Sequence, residues 1–206
     1  MIIKQLGVGP LMANCIIIGC EDTKKAAVID PGDEVDRILM TIAEHQLTVT
    51  YILNTHGHFD HVGGNQRLKK VTSAPICIHT EDNVMLKHVA SSAASFGMSV
   101  ENSPDADQLL NDGDMVRIGN IELKVIHTPG HSPGGAAFYV PDVVFVGDTL
   151  FAGSIGRTDF PGGSYDQLIA SVRNKLFVLP DNTTVYTGHG PTTTIGEEKR
   201  TNPFFQ

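Results

Sequence analysis

Two β-sheets packed face to face with helices on their outer faces, an α+β arrangement, is the fold class this 206-residue sequence predicts. Three observations carry it. Strand-like runs open each half of the chain, helical stretches with one apolar face follow them each time, and 41% hydrophobic against 18% charged residues is the balance of a chain that buries a core. One domain spanning 1–206 is expected, because this length supports a core without disulfide or metal staples.

The first thirty residues read as three strands, Met1 to Val8, Asn14 to Gly19 and Lys25 to Asp30, rich in Ile, Val and Ala and punctuated by Gly-Pro and Glu-Asp, with antiparallel pairing as the natural outcome. Val35, Ile38, Leu39 and Ile42 recur at helical spacing, which predicts a helix over 33–46 capped by Asp33. Thr48 to Leu53 is a β-branched strand that stops at Asn54-Thr55, so the polar cluster from His56 onward belongs in the loop leaving a strand end. A short helix over 64–70, a strand over 75–78 and a helix from Glu81 to about Ala90 come next. Residues 91–107 are polar and Ser-rich, with the character of a mobile loop able to cover a pocket. Runs 115–118 and 121–126 flank Gly119-Asn120, and 136–140 and 143–146 flank Pro141-Asp142, as hairpins do. Leu168, Ile169, Val172 and Leu176 mark a helix over 164–176; a strand over 183–186 and a terminal helix over 195–201 complete the chain.

A net charge of -8 and the absence of a basic stripe exclude nucleic acid as the main partner. No apolar run approaches a membrane span, and Met1-Ile2-Ile3-Lys4 has no leader pattern, which predicts a cytoplasmic location with no membrane partner. Cys15, Cys20 and Cys77, an odd number without Cys-x-x-Cys spacing, read as reduced thiols in the core.

Chemistry concentrates in Thr55-His56-Gly57-His58-Phe59-Asp60-His61, Pro129-Gly130-His131, Gly147-Asp148 and Gly188-His189-Gly190. Imidazole and carboxylate are ligands for zinc, iron and manganese, and flanking glycines let backbone turn closely around an ion. Four candidates, His56, His58, Asp60 and His61, fall within six residues and cannot all converge on one point, so two ions are the simpler solution. His131, Asp148 and His189 then supply the remaining ligands. His45, His79, His88 and His127 read as ordinary solvated surface histidines.

At these residues the chain resembles the metallo-β-lactamase superfamily, whose signature is His-x-His-x-Asp-His followed by His, Asp and His in separate loops. The resemblance spans nearly the whole chain and implies a four-layer αββα sandwich of two mixed sheets with a metal site at one edge. It implies that His56, His58 and His131 bind one ion, that Asp60, His61 and His189 bind a second, and that Asp148 bridges both. Zinc is the first expectation, with iron or manganese also accepted by such a shell. Gly147-Asp148-Thr149-Leu150-Phe151, Gly156-Arg157-Thr158-Asp159-Phe160-Pro161, Gly188-His189-Gly190-Pro191 and Asn202-Pro203-Phe204 are similar to short glyoxalase II-like members. That similarity implies hydrolysis of small acyl thioesters, S-lactoylglutathione or a related glutathione conjugate first among them, with Asp60 and Asp148 catalytic and Arg157 at the glutathione moiety. Longer members of that group carry a C-terminal helical extension with much of the glutathione contact, and this chain ends at Gln206, about where it begins. An Asp bridge together with His58, where diiron flavoprotein relatives carry Glu, favours hydrolysis over electron transfer. Relatives sharing these motifs also include mononuclear iron glutathione persulfide dioxygenases, using the equivalents of His56, His131 and Asp148. Lactone or phosphodiester hydrolysis is a third expectation, because a metal hydroxide is indifferent to the ester presented and the pocket decides.

Overall fold

The computed structural model describes residues Met1 to Gln206. Strands β1 (Ile2–Val8), β2 (Ala13–Gly19), β3 (Lys25–Ile29), β4 (Thr48–Leu53), β5 (Ile76–His79) and β6 (Gln108–Leu110) form one sheet in that spatial order. The first three pair antiparallel and the rest parallel. Between them run α1 (Val35–Glu44), α2 (Phe59–Val62), α3 (Asn65–Thr72) and a 3-10 segment, Thr80–His88, that continues into α4 (Val89–Ser95). The second half supplies β7 (Met115–Ile118), β8 (Ile121–His127), β9 (Ala136–Val140), β10 (Val143–Gly147), a small hairpin of β11 (Leu150–Phe151) and β12 (Ser154–Ile155), α5 (Tyr165–Ser171), β13 (Thr184–Thr187), β14 (Thr193–Thr194) and α6 (Ile195–Thr201). The second sheet runs β14-β13-β10-β9-β8-β7, with only β10 and β13 parallel.

Side-chain alternation turns these strands into four layers. On β2, Cys15 and Ile17 face the helices and pack with Ile38, Leu68 and Leu86, while Ile16 and Ile18 face the other sheet and pack with Val125, Phe138 and Phe145. On β10 the pattern is complementary: Phe145 points between the sheets, and Val144 and Val146 point outward against Val172, Leu176 and Ile195. A strand covered on both faces reads as an apolar run, which is why β2 beyond Asn14 has no polar side chain. Cys15, Cys20 and Cys77 are free and buried, as expected of core thiols. No helix is long and apolar enough to cross a membrane.

Some expectations need correction. Asp33 does not cap α1: the residue preceding the helix is Glu34, at φ 49, and the Asp33 carboxylate accepts only the Glu34 N–H at 2.6 Å. The 91–107 stretch is not loop throughout, since α4 runs to Ser95; it ends where expected, at β6 from Gln108. His79 is not a solvated histidine; it is 5% exposed and stacked on the half-buried His127 at 3.9 Å, where burial and the neighbouring ring push its pKa down.

The topology brings the C-terminal ends of β3, β4, β8, β10 and β13 to one edge of the sandwich. Along that edge the sheets are joined backbone to backbone: Ala136 N–H donates to the Thr55 carbonyl at 2.8 Å, and Asn14 N–H to the Gly188 carbonyl at 2.7 Å.

Candidate metal centre

Each functional side chain is anchored before it reaches the centre. Asp30, at the end of β3, holds φ 52, a left-handed conformation that Asp tolerates better than most residues. Its carboxylate accepts the Thr55 N–H at 2.8 Å and the Thr55 hydroxyl at 2.6 Å, and faces His61 Nδ1 at 3.1 Å. Thr55 Oγ1 in turn lies 3.0 Å from His56 Nδ1. His131 Nδ1–H donates to the Arg157 carbonyl at 2.7 Å, and His189 Nδ1–H to the Leu11 carbonyl at 3.1 Å. A carbonyl only accepts, so both rings donate through Nδ1 and turn Nε2 inward, the orientation a metal ligand requires.

The structure brings all seven predicted residues together, six of them in two triads and Asp148 facing both. His56, His58 and His131 offer ring nitrogens within 4.8 Å of one another, and so do the ligand atoms of Asp60, His61 and His189. His58 Nδ1 and His131 Nε2 are 2.9 Å apart, and His61 Nε2 and His189 Nε2 3.2 Å. Asp148 faces both groups: Oδ1 is 3.5 Å from His61 Nε2, while Oδ2 is 3.6 Å from His131 Nε2 and 3.7 Å from His189 Nε2. Asp60 Oδ2 lies 3.3 Å from His189 Nε2. His56 Nε2 and Asp148 Oδ1 are buried with no hydrogen-bond partner, which is costly for polar atoms unless a cation meets them. An all-nitrogen and oxygen donor set of this kind fits divalent metal ions. Asp30, His56 and His61 also lie close together, but Asp30 is engaged with Thr55 and the outer nitrogen of His61, which makes it an anchor.

Electrostatics divide the two triads. Burial and the surrounding imidazoles push His56 well down, and His58 down to about 3. For His61 burial opposes the charged ring, yet the Asp148, Asp60 and Asp30 carboxylates outweigh it and lift the ring to about 10. Burial opposes His189 likewise, and the Asp60 and Asp148 carboxylates still raise it. His61 is thus held protonated, so an ion bound by this triad would have to displace that proton, and its uptake would release acid. Titrating metal into lightly buffered metal-free protein at neutral pH is expected to acidify the solution. In the metal-free state the stability that the raised His61 contributes is fully present below the ordinary value of 6.5 and is lost as pH rises through about 10.

Over the triads opens a cleft of about 760 Å3. Val84, Met85, Phe96 and Phe160 provide much of its apolar wall, with Phe96 5.4 Å from Phe59 and Phe160 5.3 Å from His58. Arg157 lines the rim, where its guanidinium pairs with Asp159 through two 2.7 Å bonds and lies 3.8 Å over the Phe160 ring. Sequence reasoning missed Asp30 and the buried Asp82, which accepts from Gly57 and Gly134 backbone and from Ser132. The only sequence signal for Asp30 was its position at a strand end before Pro31-Gly32; Asp82 offered none.

Comparison with known proteins agrees with this geometry. The hydroxyacylglutathione hydrolase GloC of Haemophilus influenzae is 40% identical over 99% of this chain and 98% of its own length. The crystal structure of the BLEG-1 B3 metallo-β-lactamase superposes with a TM-score of 0.93 at 39% identity, covering 100% of both chains. That of TTHA1623 in a di-iron-bound form gives 0.90 at 39% identity over 98% of this chain and 99% of its own. The model of the metallo-β-lactamase superfamily matches residues 8–189, and the chain belongs to that superfamily of metallo-hydrolases.

Proposed function

We propose that this protein is a dinuclear-metal hydrolase of small acyl thioesters, with S-lactoylglutathione or a related hydroxyacylglutathione as substrate. The observation that carries the reading is Asp148, one carboxylate facing two separate triads. The name of the Haemophilus relative supports the substrate class, and the di-iron form of TTHA1623 supports two ions. In this reading His56, His58 and His131 hold one ion, Asp60, His61 and His189 the other, and Asp148 both. Zinc is the proposed metal, the 206 residues act as one domain, and the protein works in the cytoplasm.

Divalent ions bound there supply Lewis acidity and make water acidic enough to ionise near neutral pH. The chain's own groups do the rest. Asp60 orients the attacking water by accepting its hydrogen bond, and Asp148 keeps the two half-sites in register. The apolar wall of Val84, Met85 and Phe96 lowers the local dielectric beside the reacting carbonyl, which strengthens every charge contact made to it. A thiolate leaving group needs little help from a general acid.

Arg157 is the proposed contact to a substrate carboxylate, exchanging its Asp159 partner for it. Because its backbone carbonyl continues to hold His131, Arg157→Ala is expected to raise KM for S-lactoylglutathione several-fold with kcat nearly unchanged, the signature of lost uniform binding. Steady-state kinetics on the two proteins checks this.

The test of the whole reading is metal content per chain together with turnover of S-lactoylglutathione, and oxygen uptake with glutathione persulfide, on one preparation. Two ions and thioester turnover that disappears in His58→Ala are the expected result. One iron with oxygen uptake and no hydrolysis overturns it in favour of a persulfide dioxygenase, and turnover of lactones alone overturns the substrate class.

A further inference from the structure

Asp82 belongs to neither triad, yet it touches the loops that carry one of them. It is fully buried in the Thr80–His88 segment. Oδ2 accepts the Gly57 N–H at 3.0 Å and the Ser132 hydroxyl at 2.7 Å, and Oδ1 accepts the Gly134 N–H at 2.6 Å. Gly57 separates His56 from His58, and Ser132 follows His131. One carboxylate thus ties together the two loops, from opposite sheets, that present these three histidines.

The fit leaves no room for drift. A Cβ at Gly134 would stand 2.5 Å from the Asp82 nitrogen and 2.8 Å from its Oδ1, and a Cβ at Gly57 would stand 2.6 Å from Met85 Cβ. Both loops therefore press against the same segment. Asp30 does the comparable work elsewhere, on Thr55 and the His61 ring, and no hydrogen bond links Asp82 to Asp60, His61 or His189.

We propose that Asp82 is the positioning residue for the ion held by His56, His58 and His131, setting its affinity separately from that of the ion held by Asp60, His61 and His189. This rests on the two-ion reading above. An Asn at this position keeps the shape, but its single oxygen cannot serve all three donors. Its amide would face an N–H or O–H, pushing one loop away from the other.

Zn2+ titration of the metal-free proteins, followed by calorimetry, tests this. His58→Ala identifies which binding step belongs to the His56, His58 and His131 site. Asp82→Asn is expected to weaken that same step about 10- to 100-fold and to leave the other step unchanged, with thermal melts of the metal-free proteins checking the fold. Should Asp82→Asn not fold, Ser132→Ala, which removes one of the three donors, is expected to weaken the same step by less. Equal weakening of both steps, or of neither, overturns the proposal, because a merely structural carboxylate has no reason to discriminate between them. A wild-type protein that takes up one ion overturns the two-ion reading alone; Asp82 then stands if Asp82→Asn weakens the ion that His58→Ala abolishes, and falls if it does not.

Discussion

Asp148→Asn is expected to lower kcat/KM for an acyl thioester by roughly a thousandfold, the equivalent of the several kcal/mol that metal assistance supplies to the transition state. Both carboxylate oxygens face the triads: Oδ1 faces His61, and Oδ2 faces His131 of one triad and His189 of the other. Asn preserves the volume but offers one oxygen and no charge. Whichever way the amide turns, one triad meets an NH2 group where it needs an anion, and the cluster loses a negative charge that both half-sites share. Metal analysis of the variant should show less than the wild-type content, and its kinetics should show a loss in kcat. An Asn variant with wild-type turnover would remove Asp148 from the mechanism.

Gly188→Ala should be nearly as damaging, although residue 188 carries no chemistry. A Cβ there would lie 2.0 Å from Asp148 Oδ1 and 2.8 Å from the Gly147 carbonyl carbon. The second contact is with backbone, so no rotamer change relieves both. Gly188 is also hydrogen-bonded on both sides, its N–H to the Gly147 carbonyl and its carbonyl to the Asn14 N–H, each at 2.7 Å. Overpacking of this kind costs about 1–3 kcal/mol, which for a chain of this size lowers Tm by about 2–12 °C. Displacing Asp148 by even an ångström is expected to cost about a hundredfold in rate. Thermal melts with and without metal, beside kinetics, separate the two losses. A wild-type Tm with wild-type turnover would show that the Gly147–Gly188 contact yields easily.

Much of the centre was legible because its candidate ligands are local in sequence. His-x-His-x-Asp-His packs four donors into one short stretch, and His131, Asp148 and His189 each sit beside a glycine after an apolar run, which marks them as strand ends. The sandwich was legible for a related reason: strands buried on both faces, such as β2 from Cys15 to Gly19, read as continuous apolar runs. Residues whose meaning is purely tertiary stayed hidden. Asp82 looks like one more acidic residue opening a helix, and its three donors lie 25, 50 and 52 residues away. His79 could not be told from a surface histidine without the ring of His127, which stacks on it from another strand. Leu109 and Thr193 belong to strands of two or three residues, too short to show alternation.

The two triads have a topological consequence. Each triad draws on both halves of the chain: His58 meets His131 across 73 residues, and His61 meets His189 across 128. An ion held in either triad would therefore act as a reversible cross-link that closes a long loop, as a disulfide does. Loop-closure entropy grows only with the logarithm of length, so the two clasps restrict the unfolded chain almost equally despite their different spans. They meet at the edge where Ala136 pairs with Thr55 and Asn14 with Gly188, and the seam between the sheets is thus fastened beside its reactive end. A chelator would remove both clasps from that end at once, leaving the backbone pairs and the apolar layers to hold the sandwich.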